Sequence, residues 1–349
     1  MVSVLYVLAL LTLVVYGCPP PFNDFKYANN NTLLLEKIAQ YTSDPQLGWA
    51  HVIGGTSPVK TWPANDKGIV NIPYCWADPW SKKKIDRKFQ QAWLKWSVKI
   101  GSPSAQSGHR LGGFREVTDK NGEPVFCYWD KSQKVWKKSI PDDTLVIRAV
   151  LNSHASSGSL GYTPKEWTDR SGRHQLKIAF HNNPPFDQST YLAVIAHEMG
   201  HVFGFTHEHQ RPDQNSYVRF QCSELIGYSR ATTMQLLTCL LLQRSLLGCG
   251  APGQGRKQGW SLARVHGYHG QDYNAIMHYI SEAYSSDGVP GNPKDPTVHN
   301  VPLVRSKEGK PGYKPLQEVT EHNAELIPFN TMPSDGEVKG VKVLYPWQG

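Results

Sequence analysis

None of the six cysteines (Cys18, Cys75, Cys127, Cys222, Cys239 and Cys249) falls into a C-x-x-C pair, which argues against a thiolate zinc site. Beyond the first residues no apolar run approaches the roughly 20 residues that a membrane-spanning helix needs. Stable membrane association is therefore not expected. No internal repeat of solenoid length is visible. Basic residues outnumber acidic ones, 37 to 29, giving a net charge of +8. Apart from Lys82 to Lys84 they are scattered, and no stretch resembles a nucleic-acid-binding module, so nucleic acid is not an expected partner. The charge reads as a solubility device, with an acidic substrate or cell-wall polyanion as the alternative. With 39% hydrophobic and 19% charged residues the chain is globular, not disordered. Its 349 residues suffice for a sizeable core.

What the chain does have is His197 to Glu208, reading HEMGHVFGFTHE. His197 and His201 are spaced i, i+4, so on a helix both imidazoles share one face. Glu198 lies beside them, where a carboxylate can reach a water on a metal ion. Leu192, Ile195, Met199, Val202 and Phe203 form an apolar stripe at helical spacing. Gly204 accepts positive φ at the helix end and turns the chain back, which lets His207 approach the ion from outside the helix. Three nitrogens with an open fourth position define a catalytic zinc site rather than a closed structural one. A bare H-E-x-x-H arises by chance in roughly a few per cent of such chains; the added glycine and third histidine lower that to about one in ten thousand. An amphipathic core helix carrying incidental histidines would leave these polar groups unpartnered, which is costly.

The order of these residues is that of the metzincin zinc signature. Tyr273 to Tyr279 reads YNAIMHY, where Met277 fits the methionine turn that metzincins carry beneath the metal. With Glu208 directly after the third histidine and IMHY downstream, the chain closely resembles the astacin family of zinc endopeptidases. NIPYCW (Asn71 to Trp76) and the C-terminal PSDGEVKGVKVLYP resemble that family's opening strand and last helix. No cysteine follows Cys249, an arrangement more like fungal or bacterial secreted members. The resemblance implies that His197, His201 and His207 bind one Zn²⁺ and that Glu198 is the general base. It implies that Tyr279 ligates zinc at rest and swings to hydrogen-bond the oxyanion, and that Glu208 meets the amino terminus of the mature enzyme. The implied fold is α+β: a two-lobed catalytic domain, with a mixed twisted sheet, a backing helix and the zinc helix above a mostly helical or irregular lower lobe. The expected activity is a secreted endopeptidase acting on protein or peptide substrates. The alternative is a zinc-binding effector that keeps the fold without efficient catalysis; the presence of both Glu198 and Tyr279 favours catalysis. Oligomeric state stays open.

Val2 to Tyr16 is almost wholly apolar and Gly17 is small, which reads as a signal peptide over 1–17. Residues 18–60 are polar and turn-rich, with a glycosylation sequon at Asn30; they read as a prosegment or extension in which Asp24 is a weak candidate for a zinc-blocking aspartate. The peptidase domain is expected over 61–349. In a secreted chain the cysteines suggest disulfides: Cys75 with Cys127, and Cys222 with Cys239 or Cys249. Lys83 to Ile100 places Ile85, Phe89, Ala92, Trp93, Trp96 and Ile100 on one helical face. Thr144 to Leu151 and Gln175 to Phe180 read as strands. Between them SSGSLGYTP resembles the edge region along which metzincin substrates extend, which implies an edge to which an extended peptide adds as an antiparallel strand. Asp187 or Ser189 caps the zinc helix. The leucine-rich MQLLTCLLLQRSLLG reads as a helix, and Pro290 to Lys314 as a long surface loop. His209, His266, His269 and His278 read as outer-shell or surface groups.

Overall fold

The computed structural model describes residues 60–130, 132–153, 156–182, 187–210, 216–224, 271–283, 295–309 and 316–348. The stretch read as signal peptide, all of the stretch read as prosegment except Lys60, the leucine-rich segment, His266, His269, Cys239 and Cys249 lie outside the described residues.

The fold is α+β. Strand β1 (Val70–Trp76) leads through helix α1 (Pro79–Ile100) to β2 (Leu111–Glu116), followed by β3 (Leu145–Leu151), β4 (Ser157–Gly158) and β5 (Gln175–Phe180). These form one five-stranded sheet in the order β2-β1-β3-β5-β4. β1 pairs in parallel with β2 and β3, and β3 with β5, whereas β4 is an antiparallel edge on β5. Parallel strands buried on both faces tolerate continuous apolar runs: Ile72, Tyr74 and Trp76 enter the main core, while Cys75 between them faces a smaller cluster with Cys127 and Val146. There Cys75 and Cys127 form a disulfide, their Cα atoms 5.4 Å apart, as the sequence suggested.

Helix α1 starts at Pro79, ahead of the expected Lys83. The Asp78 side chain accepts from the Ser81 N–H, and Pro79 occupies the first turn, where its missing N–H costs nothing. That first turn is mostly solvent-facing, so the periodic signal begins only at Ile85. Ile85, Phe89, Ala92, Trp96 and Ile100 are buried, each large side chain contributing about 1.5–3 kcal/mol. They pack against helix α2 (Gln188–Phe203) in the same core.

After α2 the chain supplies a second sheet, β6-β7-β8 (Val218–Phe220, Leu303–Ser306, Ala324–Glu325), and helix α3 (Asp335–Leu344). Strand β7 corrects the reading of Pro290 to Lys314 as a surface loop. Leu303 and Val304 are buried there, and the strand pairs with both neighbours. Its four residues are outnumbered in sequence by the Pro, Gly and Lys around them, and only cross-strand pairing reveals the strand. Likewise β2, unmarked in the sequence, is masked by Gly112 and Gly113, the latter at φ 94° with the Trp93 ring filling the space of a side chain. Among the described residues no helix is long and apolar enough to cross a membrane.

Candidate zinc site

Helix α2 carries the first two histidines. Asp187, rather than Ser189, caps it by accepting from the Thr190 N–H at 2.7 Å. Its end is fixed by Gly204 at φ 105°, with the Phe205 N–H bonding Gly200 O at 2.9 Å. A helix end leaves carbonyls without partners, and here distant side chains take them. Trp62 Nε1 donates to Val202 O at 2.7 Å and Tyr345 Oη to Phe203 O at 2.9 Å. The His201 carbonyl accepts from the N–H of Gly161, just past β4. Trp96 Nε1 reaches Ala196 O at 2.8 Å. Edge strand β4 lies flush on α2: a Cβ on Gly158 would collide with the Glu198 carbonyl.

The three histidines converge. His207 Nε2 stands 3.1 Å from His201 Nε2 and 3.2 Å from His197 Nε2. Tetrahedral zinc with bonds of roughly 2.0–2.1 Å places neighbouring ligand atoms about 3.3 Å apart, close to these separations. His197 Nδ1 meets Ile276 O and His201 Nδ1 meets Phe205 O, both at 2.7 Å. A carbonyl only accepts, so each Nδ1 carries the proton and each Nε2 keeps a lone pair for the metal. Burial depresses the pKa of His197 to about 4 and that of His201 to about 3, so both rings are neutral, as ligation requires. Among the described residues this trio is the set of His, Cys, Asp and Glu groups suited to hold a metal ion, and zinc matches its donor chemistry.

Glu198 lies next to His197 with 2% of its surface exposed. The Tyr279 ring is 4.4 Å from that of His207 and 6.2 Å from that of His197. Met277 is buried with its sulfur against Gly200, where a Cβ would clash with it. Glu208 braces the same turn: its N–H donates to Met277 O, and its Oε1 accepts from the Asp272 N–H, both at 3.1 Å. The expected meeting of Glu208 with an amino terminus concerns residues outside those described. His209 is fully buried, its ring 4.2 Å from that of Tyr279. His278 bonds Gln271 and the Tyr279 carbonyl.

One contributor was not singled out in the sequence. Glu337, in the first turn of α3, accepts from the backbone N–H groups of Ile276 and Met277 at 3.0 and 2.9 Å. Burial raises its pKa, opposed by those donors and by the Ser334 N–H; three N–H groups donating to its two oxygens favour the ionised carboxylate. Its only sequence signal was the Ser334-x-x-Glu337 capping pattern, which marks a helix start and says nothing of a partner 61 residues upstream.

Residues 186–234 match the family model for the astacin peptidases. The zinc segment is thus similar to that of the astacin peptidases. A relative, zinc metalloproteinase nas-30 of Caenorhabditis elegans, is 28% identical over 94 residues, or 27% of this chain. The match spans 10% of that relative's length. Solved structures with a similar course include high choriolytic enzyme 1, a hatching-enzyme zinc protease from the medaka Oryzias latipes. It shows 15% identity and a TM-score of 0.43, covering 82% of this chain and 94% of that one. Myroilysin shows 15% identity and a TM-score of 0.41, covering 82% and 86%. The astacin match ends at residue 234, so Met277, Tyr279 and Glu337 lie beyond it.

Proposed function

We propose that this chain is a secreted, zinc-dependent endopeptidase that hydrolyses peptide bonds in protein or peptide substrates. The observation that carries this reading is the convergence of three imidazoles, two of them oriented by backbone carbonyls, inside a segment that matches the astacin family model. Bound zinc would lower the pKa of a coordinated water toward about 7 and polarise the scissile carbonyl. Glu198, adjacent in sequence to the first ligand and shielded from bulk water, takes the proton of the attacking water and delivers it to the leaving amine. The Tyr279 phenol, packed against His207, donates to the oxygen that gains charge. β4 offers the extended substrate an antiparallel edge and reads little of its sequence. Met277, Gly204 and Glu208 hold the ligands in register. In this reading 1–17 direct export, 18–60 form a prosegment or N-terminal extension, and 61–349 form the catalytic unit.

The test is digestion of a peptide library by the purified chain, with and without chelator, alongside the Glu198→Gln variant. Expected are cuts that vanish with chelator and return with zinc, and a variant that binds zinc but does not cut. Full turnover by Glu198→Gln removes Glu198 from its role. Zinc binding by the wild type without any cut favours the effector reading.

A further inference from the structure

Resting on the zinc-peptidase reading, the geometry points to Glu337 as a positioning residue for the zinc ligand His197, acting through a single peptide group. The group in question joins Ile276 to Met277. Its carbonyl oxygen accepts from His197 Nδ1 at 2.7 Å. Its N–H, on Met277, donates to Glu337 Oε1 at 2.9 Å. A metal-bound histidine commonly gives its second N–H to a carboxylate or carbonyl, which fixes the ring and raises its basicity. Here both appear in series, the carboxylate reaching the histidine through one amide. Hydrogen-bonded chains polarise one another, so a carboxylate pulling on the amide N–H makes the carbonyl a stronger acceptor for His197.

Capping alone does not account for these contacts. Ser334 and Glu337 satisfy one another as a capping box, with Glu337 N donating to Ser334 Oγ at 3.1 Å and Ser334 N to Glu337 Oε2 at 2.8 Å. That exchange completes the motif. The N–H groups of Ile276 and Met277 are two further donors from a segment 61 and 60 residues away. Three donors on two oxygens use both oxygens as acceptors. Gly336 allows the approach, since a Cβ there would collide with the Asp272 carboxylate. Ser334 Oγ also bonds that carboxylate.

The turn so held bears on two ligands. Met277 O accepts from the N–H of Glu208, the residue after His207. A shift of the turn therefore reaches His197 through Ile276 O and His207 through Met277 O. α3 thus clamps the metal site from outside the segment that carries the signature.

The experiment compares the full-length protein with Glu337→Gln, Glu337→Asp and Val341→Ala. Gln replaces one acceptor oxygen with an NH₂ donor, whichever way it flips. Asp still serves the helix N-terminus but falls one methylene short of the turn. Val341 is buried in the core on the same helix and makes none of the hydrogen bonds from Glu337 to the turn, so its truncation destabilises α3 while keeping those bonds. Zinc affinity is read by competition with a chromophoric chelator, and the site by the visible spectrum of the cobalt-substituted protein. Steady-state peptide hydrolysis completes the set. Loss of an outer-shell partner predicts zinc binding weakened about 10–100-fold in the Gln and Asp variants. Their kcat falls with KM little changed, and the cobalt band shifts. Val341→Ala lowers the melting temperature and leaves affinity and spectrum as in the wild type. Where Glu337→Gln does not fold, Glu337→Asp carries the test. Wild-type zinc affinity and kcat in the folded variants reduce Glu337 to a helix cap and overturn the proposal. A wild type that neither binds zinc nor cuts peptide overturns the peptidase reading, and this proposal with it.

Discussion

At the scale of single residues, protonation and reach decide the chemistry. The Tyr279 ring lies 4.4 Å from that of His207, and in the proposed mechanism its phenol serves charge that develops during reaction. A donor used only in the transition state affects kcat and not ground-state binding. Tyr279→Phe is therefore expected to lower kcat by about 10²–10³, the cost of losing one oxyanion donor, with KM near the wild-type value. Steady-state kinetics on a fixed peptide decide it, and an unchanged kcat removes the assignment. His174 shows the same principle in a structural setting. Fully buried between Trp62 and Tyr162, it meets Asp143 O through Nδ1 and accepts the Thr163 N–H on Nε2. Burial, reinforced by the Arg173 charge, lowers its pKa to about 3. The unfolded chain then binds the extra proton first. This residue's contribution is whole above about pH 6.5 and is lost as the pH falls toward 3. Urea midpoints followed from pH 7 to 4 should fall in the wild type and fall less steeply in His174→Gln.

At the scale of elements, the zinc helix depends on close contact along two faces. One face meets β4 at Gly158 and the other meets Met277 at Gly200, and neither position has room for a Cβ. The Met277 sulfur is the end of a flexible side chain and can yield, whereas the Glu198 carbonyl cannot. Gly200→Ala is accordingly expected to cost about 1–3 kcal/mol through overpacking. It should also loosen zinc by pushing the turn away from His197. Denaturant melts and zinc titration of the same preparation check both, and a variant with wild-type values on both counts denies that this contact matters. The sequence marked Gly204, whose function is conformational and local. It did not mark Gly158 or Gly200, because the atoms they make room for come from distant parts of the chain.

At the scale of the whole molecule, a single core spans β1, α1, β3, β5, α2 and α3. The Cys75–Cys127 disulfide closes a loop of 52 residues beside it. That bridge lies among Ala77, Ile140 and Val146, away from the histidines. Cys75→Ser with Cys127→Ser is expected to cost about 2–4 kcal/mol of stability, chiefly by freeing the unfolded chain. The kcat of the folded fraction should not change. A matched pair of denaturation curves and rate measurements at low temperature tests this; loss of turnover in folded protein would tie the bridge to the site.

The candidate zinc ligands were legible because their chemistry repeats at short range. An i, i+4 pair, a glycine terminator and a third histidine all fall within eleven residues. Local pattern likewise exposed the apolar face of α1 and the strands β3 and β5, whereas β1 was expected only through the resemblance of NIPYCW to a family strand. Short strands such as β7 and the glycine-bearing β2 were not legible, since pairing with distant partners stabilises them. The same reason hid Glu337. The sequence by itself determined which side chains can bind a metal and, through Gly204, where the helix that bears them ends. Tertiary structure decided what aims them: the carbonyls of Ile276 and Phe205, the carboxylate of Glu337 behind the turn, and the glycines that let these segments touch. Ligand identity follows from residue type at fixed spacing, whereas orientation is set by hydrogen bonds between segments that only folding brings together.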